Sequence, residues 1–381
     1  MNYNDLASYA VQVSQGRLYE VDKNTVEVSF PTNIRTRTDF QKDRDRIIHS
    51  TAFRRLAYKT QVFLNDSGSD LCRNRLTHSL EVAQIARTIA YALHLNVDLV
   101  EAISLAHDLG HAPFGHSGQD ILNSCLKKQG SNGFEHNIQA LRMVDKLEKR
   151  YGYCDGLNLC FETREGLLKH CSQKSLADIP VDLSYRFIHK LSPSLEAQVA
   201  DVADEIAYNH HDLDDGMRAG LVDINVVAAE LPFVATIIST IKKQYLGIDL
   251  HLMRKILVSQ LLNETVNSVV VSSANYIQEA QVASVNEVRQ CAKLIKYNDD
   301  MWQQQKALKR FLMANLYRHP QVMAVRTKNT ALIANIFDFL VNNPQNLPLA
   351  YHDRYKSNKL RTVADYIAGM TDRFALNFFN Q

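Results

Sequence analysis

Apolar residues recur along much of this chain at intervals of three and four, the period of a helix with one buried face. The pattern starts at Asp39, where Phe40, Ile47, Ile48, Phe53 and Leu56 fall between charged positions. It returns over 77–95, where Leu80, Ala83, Ile85, Ala86, Ile89, Ala90 and Leu93 make a broad apolar face. The next helix, 97–106, is apolar enough to be central. Further helices are expected over 134–150, over 194–209 with Pro193 and Ser194 at its start, several within 222–295, and one over 362–379. Two stretches differ. Residues 1–34 read as a loosely ordered arm, with a short hairpin where Val26, Val28 and Phe30 alternate. Asn65, Asp66, Ser67, Gly68 and Ser69 make a loop by composition. Gly110, Pro113, Gly115 and Gly118 break regularity among histidines, which is unusual for a mere connector.

Composition supports an all-α protein. The 381 residues include only 14 glycines and 8 prolines, too few for a turn-rich β protein. Hydrophobic residues make up 46%, so a folded core is expected. The net charge of +2, from 43 basic and 41 acidic residues, does not advertise nucleic-acid binding. Cys72, Cys125, Cys154, Cys160, Cys171 and Cys291 lack CxxC spacing and read as reduced thiols. There is no secretory pattern at the start and no apolar run of about 20 residues to span a bilayer. A cytoplasmic protein without membrane contact is expected.

Chemistry concentrates after the helix 97–106. Residues 107–116 hold His107, Asp108, His111 and His116, a nitrogen and oxygen set that suits a divalent cation. A polar helix cap with hydrogen-bonded histidines is the competing account. Two features weigh against it. Arg75 and His78 open the amphipathic helix upstream. Asp201, Asp204 and Glu205 interrupt an otherwise apolar helix, with Asp204 among Val202, Ala203, Ile206 and Ala207. A buried carboxylate needs a partner charge, which a metal supplies.

Longer strings carry a resemblance. RNRLTHSLEV (73–82), HDLGHAPFGHSG (107–118), FEHN (134–137), EGLLKH (165–170) and ADEIAY (203–208) are similar to the bacterial dGTPase-like branch of the HD-domain phosphohydrolases. So are DRDRIIHSTAFRRL (43–56) and DYIAGMTDR (365–373). The likeness is dense over 35–220, sparse to about 360, and returns at the last helix. It implies an all-α HD-domain phosphohydrolase fold with additional C-terminal helices. The arm would be 1–34, the catalytic domain 35–220, and 221–381 a helical region completing the pocket and oligomer contacts.

The resemblance also implies an activity: cleavage of a deoxynucleoside triphosphate (dNTP) into deoxynucleoside and tripolyphosphate. By resemblance, His78, His107, Asp108 and Asp204 hold the divalent ion, with Mn²⁺, Mg²⁺, Fe²⁺ and Ni²⁺ all suited. Arg75 would face the phosphates, and Lys169 is a further candidate there beside its reading as a solvated surface lysine. His111, His116 and His136 match the family's pocket histidines, with His116 the proton donor to the leaving oxygen. Tyr208 and Asp212 follow Asp204 by four and eight residues, on one helical face. In the family such positions hold the sugar, and Gln61 matches a residue at its edge. Relatives imply a homo-oligomer, from dimer to hexamer, and an allosteric dNTP. Lys242, Lys243, Lys293, Lys296, Lys306, Lys309 and Arg310 are candidates for such a second site, though a solvated helical surface is the favoured reading. One departure stands out. Gln119 occupies a usually acidic position, where a carboxylate would buttress His116; glutamine cannot stabilise an imidazolium by charge. A different HD-type nucleotide hydrolase, or a dNTP-binding regulator with little turnover, are the alternatives.

Overall fold

The computed structural model describes residues 5–19, 37–61, 72–169 and 173–380. Side-chain caps explain where the first helices begin. The Thr38 hydroxyl accepts the Gln41 N–H and opens α1 (Asp39–Ile48). Ser50 does the same for α2 (Thr51–Arg55). Asn74 and Thr77 form a capping box on α3 (Arg75–Ala92), and Asn96 caps α4 (Val97–Ala106). Each cap satisfies an N–H that has no partner inside its helix. The chain then crosses the histidine-rich turn into α5 (Gly115–Lys128) and α6 (His136–Arg142). Next come α7 (Phe161–Leu167), α8 (Val181–Ile188) and the 24-residue α9 (Leu195–Arg218), whose N-cap is Ser194.

The second half is also helical. It comprises α10 (Ile224–Glu230), α11 (Pro232–Gln244), α12 (Leu250–Ala280) and α13 (Val285–Gln290). These are followed by α14 (Asp299–Leu312), α15 (Pro320–Asn342), α16 (His352–Ser357), α17 (Lys359–Ala368) and α18 (Asp372–Leu376). Among the described residues only isolated bridges, such as Thr60 with Asn74, break the all-α picture. No described helix is long and apolar enough to cross a membrane.

α9 is the axis of the fold. Its Val199, Val202 and Ile206 pack with Val82, Ile85 and Ile89 of α3, Val100 of α4, and Val269 and Ile277 of α12. Small residues on the facing surfaces, Ala86, Ala203 and Ala207, leave room for the helices to approach. A second core joins the histidine turn to the C-terminal helices. Ala112, Phe114 and Leu122 are buried with Ile333, Ile336 and Phe337 of α15 and with Val363 and Ile367 of α17.

Some expectations change. The described part of the arm, 5–19, is not loose. Glu196 accepts the Val11 N–H at 2.9 Å, and Arg17 pairs with Asp43 at 2.5 Å, so charged groups anchor it to the helical core. The hairpin at 25–30 and the loop at 65–69 lie outside the described residues. The helix expected over 362–379 is two, because α17 ends at Gly369 and Thr371 caps a new start by accepting the Phe374 N–H. The stretch 134–150 supplies only α6 and a π-helical turn, Met143–Leu147.

Gly110 shows how tightly the turn after α4 is built. A Cβ there would lie 2.0 Å from the His136 carbonyl oxygen and 2.2 Å from the Ala140 nitrogen. Both are backbone atoms of the α6 region and cannot swing aside. Gly110→Ala is expected to lower the thermal midpoint by several degrees and to shift the His136 ring resonance. An unchanged melting curve would refute this account of the packing.

Candidate active site

The centre of the site is Asp204, near the middle of α9. Its Oδ1 lies 3.0 Å from His78 Nε2 and 3.4 Å from His107 Nε2. Its Oδ2 contacts the Lys169 ammonium. His78, His107 and Asp204 each offer one ligand atom, and these lie within 4.8 Å of one another. Burial alone would raise the Asp204 pKa, but Lys169 and His107 overcome it and hold the carboxyl well below its ordinary range.

The tautomer of His107 tests whether these residues fit a cation. His107 Nδ1 lies 2.7 Å from the Ser104 carbonyl, an acceptor, so Nδ1 carries the hydrogen. In the neutral ring Nε2 then presents a lone pair. That atom is buried and makes no hydrogen bond among the described residues. It faces Asp108 Oδ1 at 3.2 Å as well as Asp204. Lone pairs aimed at one another repel unless positive charge lies between them. Burial disfavours charge on His107, yet the two carboxylates raise its pKa regardless. A backbone carbonyl that fixes the outer nitrogen of a ligand histidine is also a recurrent feature of metal sites. The donor set suits a divalent cation.

Asp108 stands beside this cluster and ties it to the rest. Its Oδ2 accepts from Arg75 Nη1 at 2.8 Å, and its Oδ1 is 2.9 Å from His111 Nδ1. Arg75, expected at the phosphates, is thus buried and serves Asp108. His111 stacks on His136 with ring centroids 4.1 Å apart and meets His116 edge-on at 5.7 Å. Desolvation and the Arg75 cation drop the His111 pKa to about 3, so the ring is neutral. His116 is exposed to the cavity, but desolvation on its protein side and Arg75 lower its pKa too.

Beyond the histidines lies a cavity of about 730 Å³, bordered by Gln61, Phe114, His116, Tyr208 and Tyr317 and by the α15 residues Gln321, Val325 and Asn329. That volume suits a nucleotide-sized ligand. Tyr208 faces His116 edge-on at 6.3 Å and stacks on Tyr317 at 5.8 Å. The Tyr317 hydroxyl donates to Asp212, which is buried and pushed up to about 8 by desolvation.

Two families of domain match the chain: the HD domain over residues 75–209 and the phosphohydrolase-associated domain over residues 295–381. Full-length relatives decide the membership. The chain is 48% identical to a deoxyguanosinetriphosphate triphosphohydrolase-like protein of Ralstonia nicotianae, over 97% of this chain and 92% of that one. A protein of the same description from Nitrosomonas europaea is 47% identical over 99% and 98% of the two chains. One from Bordetella pertussis is 44% identical over 98% and 95%. The chain belongs to the HD-domain dNTP triphosphohydrolase family. It is a phosphohydrolase of the HD type, and the His78, His107 and Asp204 cluster is where this family member would take its divalent ion.

Within this HD phosphohydrolase the residues singled out by sequence mostly gather. His78, His107, Asp108, Asp204, His111, His116 and His136 form one continuous group. Tyr208, Asp212 and Gln61 lie at or behind the cavity wall. Lys169 is not a solvated surface lysine; it is largely buried against Asp204. One expectation is corrected. Gln119 does not support His116: its Oε1 accepts from His136 Nδ1 at 2.7 Å, because the first turns of α5 and α6 bring those side chains together. Among the scattered basic residues, Lys293 pairs with Asp201 at 2.7 Å and Lys296 sits 3.9 Å from the Tyr276 ring centre. Those two have local partners. Sequence reasoning missed Tyr317, because an isolated tyrosine between two helices carries no motif.

Burial and the nearby His111 hold the His136 pKa well below normal, and the Gln119 amide brings no charge to offset them. A carboxylate in its place would favour the imidazolium. Gln119→Glu is therefore expected to raise the His136 pKa by at least about one unit, followed by NMR titration of the ring. A titration curve that stays put would show that residue 119 does not govern this histidine.

Proposed function

We propose that this protein hydrolyses deoxynucleoside triphosphates to deoxynucleoside and inorganic tripolyphosphate. The observation that carries the reading is the sharing of one helix by two sites: Asp204 of α9 belongs to the cation cluster, and Tyr208, one turn on, lines the adjoining cavity. A divalent cation held by His78, His107 and Asp204, with Asp108 beside it, would polarise the α-phosphate and make a water acidic enough to attack near neutral pH. The relatives described as deoxyguanosinetriphosphate triphosphohydrolase-like proteins support the substrate class.

The chain's own groups then have distinct tasks. Arg75 fixes the Asp108 carboxylate, so that its remaining oxygen stays turned toward the cluster. Lys169 supplies positive charge beside Asp204, where it would meet a phosphate oxygen. Water adds to the α-phosphorus, and the bond from that phosphorus to the 5′-oxygen breaks. His116, exposed to the cavity, is the proposed donor of a proton to the departing 5′-oxygen. The Tyr208 ring would crowd a ribose 2′-hydroxyl, and Asp212 would accept from the 3′-hydroxyl. Gln61 borders the same end of the cavity.

Chromatography of the products formed from each dNTP, alone and mixed, with Mn²⁺ or Mg²⁺, tests the proposal. Deoxynucleoside and tripolyphosphate are expected in equimolar amounts. Asp204→Ala should abolish turnover, chelation should do so reversibly, and His116→Ala should lower kcat by about 10²–10³-fold. Orthophosphate or pyrophosphate as the product would point to a different HD hydrolase. Tight dNTP binding without turnover would make the protein a regulator instead.

A further inference from the structure

The histidine turn is held in place from the far end of the chain. Phe114 has a left-handed backbone, φ 61°, and opens α5 without any side-chain cap. Residues other than glycine take up this conformation when their surroundings impose it. The Phe114 N–H donates to Asp372 Oδ1 at 2.9 Å, across 258 positions of sequence. The other oxygen, Oδ2, accepts the Thr60 N–H at 2.8 Å and the Thr60 hydroxyl at 2.5 Å. Lys59 completes the tie, donating to the carbonyls of His111 at 2.6 Å and Ala368 at 2.7 Å. Both Lys59 and Asp372 are buried, 2% and 6% exposed. The turn from His111 to His116 is thus gripped at two points: Lys59, itself tied to the Ala368 carbonyl, holds the His111 carbonyl, and Asp372 of α18 holds the Phe114 N–H.

We propose that Asp372 is a positioning residue for His116. It acts through Phe114 and Thr60 and touches no substrate. The proposal rests on the reading of His116 as proton donor. A carboxylate suits the place because three donors converge on it, and an amide offers one acceptor oxygen. With Asp372 removed, the N–H groups of Phe114 and Thr60 lose their partner in a buried place, and the left-handed turn is free to relax. His116 lies two residues beyond Phe114 in the first turn of α5, so the relaxation is passed to its ring. A displacement of about 1 Å is enough to cost a reacting group on the order of 100-fold in rate.

A double-mutant cycle with Asp372→Ala and His116→Ala tests this. Asp372→Ala is expected to lower kcat by about 100-fold with KM little changed. In a His116→Ala background the same change should cost less than about threefold, because both remove one function. The His116 ring resonance, identified by its loss in His116→Ala, is expected to shift in Asp372→Ala. That second readout needs no turnover, so it stands even if the protein proves not to hydrolyse dNTPs. Asp372→Asn keeps the shape and one acceptor oxygen. It should recover part of the rate, and it serves for both measurements if the alanine variant does not fold. Additive losses in the double variant, or an unmoved His116 resonance in a folded Asp372 variant, would overturn the assignment.

Discussion

A carboxylate packed among imidazoles and only partly open to water is tolerated only where positive charge meets it. Asp204 is such a group, and much of the molecule is arranged around that requirement. Lys169 reaches it from the end of α7, His78 from the first turn of α3, and His107 from the end of α4. Three elements, the consecutive helices α3 and α4 and the distant end of α7, therefore converge on the middle of α9. The apolar packing of Val199, Val202 and Ile206 supplies the driving force, but it does not by itself fix which helix faces which. The charged cluster does, since a slip of one residue along α9 would turn Asp204 about 100° away from its partners.

The same helix sets the distance between cation cluster and cavity. Side chains four residues apart on a helix lie about 6 Å apart along one face, a little over one turn. Asp204, Tyr208 and Asp212 are read off as cluster, cavity wall and buried support. This ruler is rigid, because α9 is packed on both sides. The opposite wall is built separately, by Gln321, Val325 and Asn329 of α15.

Much of this was legible in the sequence, for a physical reason. Metal chemistry needs histidine and aspartate in apolar surroundings, a combination rare enough to stand out, and helical periodicity then predicts that Tyr208 and Asp212 share the face of Asp204. The helix 97–106 and the helical pattern beginning at Asp39 were readable from periodicity and apolar content alone. Partners were less readable. Nothing local says that Arg75 turns to Asp108, or that Gln119 faces His136 and leaves His116 alone. The position of His136 follows from how closely the turn after α4 packs on the backbone of α6, an approach that the missing Cβ at Gly110 permits. Tyr317 and Asp372 were illegible for the same reason: their roles exist only after distant segments have met.

The cavity has one wall from the HD domain and another from α15, with Tyr317 closing its end. This has a consequence for the order of events during synthesis. A nascent chain emerging from the ribosome past α9 already carries every cation ligand, yet the wall that shapes the nucleotide cavity has not been made. Contacts spanning such long sequence separations form late. The histidine–aspartate cluster and the cavity beside it are therefore completed at different moments, the cavity only once the chain has closed on itself.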